Sequence, residues 1–357
     1  MKPTTHLYYI DNLKTLIILS LFFVHACEMY HIGDGFFIEG PEILVPTMLY
    51  SFFTPFIMSV LFFLAGISTV YSLEKRGVKG FFANRCKKLL IPLAVGLVTF
   101  LPLQSWFILK NHTDFNGTFL DAYKHFFTHC TDFYGYDGAI APAHLWFLLY
   151  LFAITVLCFP LISRYHRLKD RFSKLHFDTR WVLALIGTVL IVNYGPSDEG
   201  VCRFIVYYVL GIVLCENQSF NDYIEKRGKI LLCTGIIFNL AVPFIILHIK
   251  QGEIFTFAYF WRRALWAVAS VLMTLGTVGA GKSFLNKTNA FFHHFSRLSF
   301  RIYYLHLPIM LAIGYFVLKM QIHYSYQILL IMTGSFFLTF LLSELLSLIH
   351  GRNIQSF

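Results

Sequence analysis

Lys14 and His25 lie eleven residues apart inside an apolar stretch that runs from Tyr9 to Met29. At 100° per residue, eleven helical steps return the chain to within about 20° of its starting face, so the two side chains share one stripe. Their axial separation is about 16 Å, half the hydrocarbon thickness of a bilayer. An ionisable side chain at that depth is costly and marks a functional site by default, the alternative being a structural contact between helices. Imidazole is the group suited to take a proton from a hydroxyl near neutral pH. Glu28, at i+3 from His25, can hold its tautomer and stabilise the imidazolium, or stand as an interfacial anion at the helix end. Asp11 has the same spacing from Lys14, where it orients the ammonium or favours the helix N-terminus.

Other residues of chemical interest are scattered more widely. His306 falls about two turns into a later apolar stretch and should face the protein interior. His144 and Trp146 open another stretch, where an aromatic ring can pack on a sugar face or simply mark the aromatic belt. Arg203, Arg262 and Arg263 fall on the same side as His144; they suit an anionic glycan, a lipid phosphate or a carboxylated acyl group, or can pair with Glu28. His125 and His129 are one turn apart near Asp121 and Asp132 with no fixed third ligand, and the seven cysteines show no metal-type spacing. No metal is expected, and the cysteines read as packing residues.

The elements that position these groups follow from composition. With 57% hydrophobic residues, 40 Phe and 13% charged residues in 357, and a mean hydropathy of +0.63, the chain reads as an all-α, polytopic transmembrane helix bundle. About ten spans are expected, over 9–30, 47–72, 89–108, 144–163, 181–194, 201–216, 229–249, 259–280, 299–318 and 325–349. The fifth and sixth are short and joined by Gly195-Pro196-Ser197, so they form either two tilted crossings or a re-entrant hairpin. Lys and Arg concentrate in alternate connections: Lys75 to Lys88, Arg164 to Arg180, Lys226 to Lys229, and Lys282 to Arg297. Short basic loops remain cytoplasmic, which places both termini inside. The first apolar stretch is too long for a cleaved signal sequence and lacks a small-residue cleavage site. The net charge of +10 is explained by topology and anionic lipid headgroups, without nucleic acid.

Four blocks in order give the chain a resemblance to a known family. They are Tyr9-Ile10-Asp11-Asn12-Leu13-Lys14 with the distant His25; Phe62-Phe63-Leu64-Ala65-Gly66 through Phe81 to Lys88 and Pro92; His144-Leu145-Trp146-Phe147-Leu148; and Ser299-Phe300-Arg301-Ile302-Tyr303-Tyr304-Leu305-His306 with Pro308. Together these resemble the acyltransferase-3 family of integral membrane acyltransferases along nearly the whole length. Lys14 and Lys88 stand where that pattern usually has Arg, and lysine keeps the charge but not the planar bidentate contact. Within the family the chain looks most like stand-alone members that decorate extracytoplasmic glycans, including succinyl-transferring periplasmic glucan enzymes.

The resemblance implies one transmembrane acyltransferase domain over 1–357 in a bacterial cytoplasmic membrane. It implies transfer of an acetyl or similar small acyl group from acyl-coenzyme A, acetyl-CoA or succinyl-CoA, to a hydroxyl of a glycan or lipid-linked glycan. His25 is then the expected base with Glu28 in support. Lys14, Arg85, Lys87 and Lys88, with Arg301, Tyr303 and His306, are the donor-binding candidates, since a donor made in the cytoplasm and carrying phosphates calls for a basic inner face. His144, Trp146, Arg203, Arg262 and Arg263 are the acceptor-side candidates, and Asp11 supports the end of the first helix. Segment 109–143, with Gly135, Gly138 and Pro142, reads as irregular structure. A transporter or flippase for a lipid-linked sugar or small anion is the alternative, because charge stripes also define transport pathways. A purely structural or sensory membrane protein is the third reading. Acyl group, acceptor, oligomeric state, host, and the choice between direct attack and a covalent acyl-histidine relay are not set by these residues.

Overall fold

The last long helix shows most directly which solvent this chain is built for. In a computed structural model describing residues 7–33, 35–131, 133–194, 200–248 and 256–349, helix α15 (Tyr324–Ile349) buries Gln327, Ile331, Ser335, Thr339, Ser343 and Ser347. These recur every four residues, so they form one stripe. Its other faces expose Leu329, Leu330, Phe337, Leu338, Leu341, Leu345 and Leu348. Small polar residues inward and leucines outward is the reverse of a water-soluble helix and matches packing in lipid.

Among the described residues the structure is all-helical, with no strand. The remaining helices are α1 (Tyr8–Glu28), α2 (Leu44–Phe53), α3 (Ile57–Arg85), α4 (Ile91–Val98), α5 (Leu101–His112), α6 (Phe119–Thr128), α7 (Trp146–Leu157), α8 (Phe159–Ser163), α9 (Tyr165–Ser173), α10 (Thr179–Val192), α11 (Val201–Leu214), α12 (Gln218–His248), α13 (Phe257–Phe284) and α14 (Ala290–Val317). Among the described residues, six helical stretches are long and apolar enough to cross a membrane: Tyr8–Glu28, Leu44–Val98, Gln218–Ile245, Phe257–Phe284, Ala290–Val317 and Tyr324–Ile349. Ala143–Leu157, Thr179–Val192 and Val201–Leu214 are shorter apolar helices. The expected span over 89–108 is divided: α4 stops at Val98, and α5 restarts with a proline, Pro102, in its first turn. The turn Gly195-Pro196-Ser197, Asp132, Lys250 and both termini lie outside the described residues.

The chain forms two units from interleaved segments. The first comprises described residues of 7–17, 51–82 and 153–293. Its helices meet where side chains are smallest. A Cβ on Gly66 of α3 would fall 2.1 Å from the Tyr208 carbonyl oxygen of α11, and one on Gly211 would fall 2.2 Å from the Phe63 carbonyl oxygen. Gly228, Gly235, Gly276 and Gly279 bring the backbones of α12 and α13 together in the same way. Close backbone approach of this kind drives helix association in lipid, where burial of apolar surface gives little net gain. Buried hydroxyls tie further helices: Tyr208 to Thr69 (2.8 Å) and Thr155 (3.2 Å), and Tyr207 to Ser270 (2.8 Å). Asn12, buried on α1, donates to the Leu285 and Lys287 carbonyls at 2.7 and 2.9 Å, satisfying the C-terminal end of α13. Lys169 bridges Glu74 (2.8 Å) and Glu216 (2.9 Å).

The second unit comprises described residues of 18–50, 83–152 and 294–349. Tyr30 donates to Gln327 at 2.8 Å, and the Gln327 amide donates in turn to the Met320 carbonyl at 2.9 Å, so the polar head of the α15 stripe is satisfied. A π-helical turn, Cys86–Leu90, carries the basic Lys87 and Lys88 into α4. A single turn of 3-10 helix, Ala143–Leu145, opens α7, and Ala143 there adopts φ 45°, in the left-handed region that non-glycine residues avoid.

Candidate active site

Three histidine rings from three separate segments of the second unit converge. The His25 ring, on the last turn of α1, stacks against that of His306 on α14, centroids 5.5 Å apart and planes 27° apart. The His144 ring meets His306 edge-on, also at 5.5 Å. Phe36 covers another side of His25 at 5.7 Å, and Phe22 packs edge-on against His306 at 5.8 Å.

The hydrogen bonds of each ring set its tautomer. His25 Nδ1 lies 2.6 Å from Glu28 Oε2. An ionised carboxylate only accepts, so Nδ1 carries a proton, and in the neutral ring Nε2 then keeps its lone pair. Both side chains retain some accessibility, 18% for His25 and 14% for Glu28. His306 is 1% exposed, and its Nδ1 donates to the Tyr303 carbonyl one turn back, at 2.6 Å. That leaves His306 Nε2 as an acceptor, buried without a partner among the described residues. His144 is fully engaged: Nε2 donates to the Tyr304 carbonyl and Nδ1 accepts from the Gln104 amide, each at 3.2 Å. Two of the rings thus keep one nitrogen out of the hydrogen bonds described, and both nitrogens of the third are engaged.

Local sequence explains why the group is held so firmly. Tyr303 and Tyr304, consecutive on α14, point to different partners: Tyr303 donates to the His144 carbonyl and Tyr304 to the Pro92 carbonyl, both at 2.7 Å. The 3-10 turn and α4 are thereby fastened to α14. Gln104 arrives from α5, where it is 1% exposed, and lines a small pocket with Ser105, Tyr134, Gly135 and Gly138. Gln104 Oε1 has no hydrogen-bond donor there. The sequence marks this residue only as an amide beside Ser105 in the largely apolar run Leu101 to Leu109.

A carboxylate paired with one nitrogen of an imidazole is an arrangement chemically able to act as a general base, the kind of group that transfer of an acyl group to a hydroxyl uses. The family whose model, described as an acyltransferase domain, matches residues 7–348 is acyltransferase-3. The chain belongs to the acyltransferase-3 family. It is accordingly a membrane acyltransferase. No curated protein and no solved structure shows a significant match to the chain.

The other candidate residues of this acyltransferase distribute unevenly. Of the donor set, Tyr303 and Arg301 are buried beside His306 on α14; Arg85 is buried, Lys88 half-buried and Lys87 exposed at the junction of α3 with the π-helical turn. Lys14 is buried in the first unit, where its ammonium donates to Ser68 at 2.9 Å. Asp11, one turn before it, is half-buried. On the acceptor side, His144 joins the histidine group, whereas Trp146 packs against Tyr150 at 5.2 Å. Arg203, Arg262 and Arg263 are buried in the first unit rather than lying open. The Arg203 guanidinium sits 4.5 Å over Trp266 and donates to Asn193 at 3.3 Å, and that of Arg263 sits 4.9 Å over Tyr259. Aromatic faces can hold cations there because guanidinium is weakly hydrated.

No group of three or more His, Cys, Asp or Glu able to hold a metal occurs among the described residues. The rings of His125 and His129 stack at 4.0 Å, and His129 Nδ1 is engaged by the His125 carbonyl at 3.1 Å. Burial, and then the neighbouring His129, hold His125 below its ordinary pKa.

Proposed function

We propose that the protein is an acyl-coenzyme A-dependent O-acyltransferase that delivers an acetyl or similar small acyl group to a hydroxyl of an extracytoplasmic glycan or glycolipid, from a bacterial cytoplasmic membrane. The observation that carries this reading is the 2.6 Å contact between His25 Nδ1 and Glu28, which leaves Nε2 as the base. As the acceptor hydroxyl oxygen attacks the thioester carbonyl carbon, its proton passes to His25 Nε2. The carbon–sulfur bond then breaks, and the imidazolium returns the proton to the departing thiolate, so free coenzyme A leaves and the imidazole is regenerated. Glu28 stabilises the charged intermediate form of the ring. His306, stacked beside His25, holds that ring in place.

On the donor side, the basic segment Arg85 to Lys88 and Lys14 in the lower half of α1 suit the phosphates and arm of coenzyme A, with both termini and these loops in the cytoplasm. His144 and Trp146 are assigned to the acceptor side, with Arg203, Arg262 and Arg263 as contacts for an anionic acceptor. About ten crossings within one acyltransferase domain complete the reading. The test is thioester consumption by purified protein in liposomes, with acetyl- and succinyl-coenzyme A against a panel of glycans. Glycan-dependent thiol release that His25→Ala abolishes, at unchanged abundance, is the expected result. Transfer that survives the substitution removes His25 from the catalytic role, and a transporter would consume no thioester at all.

A further inference from the structure

Two arginines on α14 carry buried donors that no group in the described residues accepts. Arg297 and Arg301 are four residues apart, so they share one helix face. Arg301 is 6% exposed, and both Nη2 of Arg301 and Nε of Arg297 are buried without a hydrogen-bond partner. Guanidinium cannot shed its charge, so burial is not relieved by deprotonation. One carboxylate, Glu344 on the C-terminal half of α15, lies within electrostatic reach of Arg301, but it is shared with His294 at 2.5 Å and is one charge against two guanidiniums. Two fixed cations with open N–H groups on one face call for an oxyanion, and a phosphate matches the planar fork of each guanidinium.

The position along α14 adds a second constraint. Arg297 precedes His306 by nine residues, about 13.5 Å along the axis. The His306 ring stacks on that of His25. A phosphate held at Arg297 and Arg301 would therefore leave a pantetheine arm room to carry its thioester to the histidines.

We propose that Arg297 and Arg301 form a phosphate-binding site, occupied by a phosphate of the coenzyme A-type donor or, with the same chemistry, by an anionic phospholipid headgroup. The donor half of this statement rests on the acyltransferase reading above; phosphate recognition does not. The experiment is calorimetric binding of coenzyme A, of pantetheine, which has the arm without phosphates, and of inorganic pyrophosphate to the full-length protein. It is run in nanodiscs of phosphatidylcholine with and without phosphatidylglycerol, on wild type, Arg297→Gln, Arg301→Gln, the double variant and the two Lys variants. A donor phosphate predicts coenzyme A and pyrophosphate binding weakened at least about tenfold in the double variant, with pantetheine binding unchanged. It also predicts intermediate weakening in the Lys variants, which keep charge but lose the fork. A lipid phosphate predicts unchanged coenzyme A binding and loss of the phosphatidylglycerol-dependent rise in Tm. Unchanged responses to all three phosphate probes in folded variants overturn the site. Should the Gln variants fail to fold, wild-type phosphate binding in both Lys variants overturns it equally. Arginine-dependent pyrophosphate binding by a protein that consumes no thioester would instead discard the acyltransferase mechanism and retain the site.

Discussion

Replacing Glu28 by Gln isolates the charge of the catalytic pair while keeping its shape. In the wild type the contact is 2.6 Å, at the short end for a charge-assisted hydrogen bond. Such bonds to ionised groups contribute roughly 1.5–3 kcal/mol. At about 1.4 kcal/mol per decade of rate, losing that stabilisation of the imidazolium lowers kcat by about 10- to 150-fold. Both groups keep some contact with solvent, 18% and 14%, which screens the pair and moves the expectation to the lower part of the range, about 10- to 50-fold. The amide can still accept from Nδ1, so folding and donor affinity should be preserved. The assay is single-turnover thiol release at saturating acyl-coenzyme A, with Tm measured on the same preparation. A kcat within about threefold of wild type in a folded variant would refute the argument and leave Glu28 as an interfacial anion. A rise in KM at constant kcat would move it from catalysis to binding.

Two further outcomes follow from local geometry. Ala143 sits at φ 45°, where an L-residue loses about 1 kcal/mol or more; Ala143→Gly should hold or raise Tm, and Ala143→Val should lower both Tm and activity by displacing His144, so a Val variant as stable as Gly would count against strain. Asp121 closes a capping box with Thr118 at the start of α6, and hydrogen bonds from the Thr118 hydroxyl and backbone hold its carboxyl below the ordinary 3.8. A depressed carboxylate stabilises the folded state above its unfolded pKa, and the contribution is lost as pH falls through the lower folded value. Asp121→Asn should therefore speed amide exchange in α6 near neutral pH and make no difference in strong acid; an equal effect at both extremes would exclude the charge as its source.

The sequence made some of this site legible and hid the rest for identifiable reasons. The His25 to Glu28 relation is local, set by helix pitch, and the contact is present. His144 and His306 each stood out as a polar group in an apolar run, but their meeting depends on how the 3-10 turn and α14 pack, which spacing along the chain does not encode. Gln104 and Asn12 were passed over because a lone amide gives no periodic signal, although both are buried and make long-range hydrogen bonds. Position along the chain set Arg203, Arg262 and Arg263 on the outer side but not their depth: they are buried, and for Arg203 and Arg263 the nearby Trp266 and Tyr259 supply the surface that makes this tolerable. The division of segment 89–108 at Pro102 was not legible from the proline alone, since Pro243 and Pro308 lie inside the continuous helices α12 and α14.

The glycine contacts of the first unit bear on how variants of this protein would be scored in living cells. Gly66, Gly211, Gly228 and Gly276 stand where even one added methyl meets another helix's backbone closer than about 3 Å, a collision that no rotamer change relieves. A selection that reads only product would rank these positions with His25. Immunoblots would separate the two classes: failed helix association depletes the polypeptide through quality control, whereas a missing base leaves a full complement of inert enzyme.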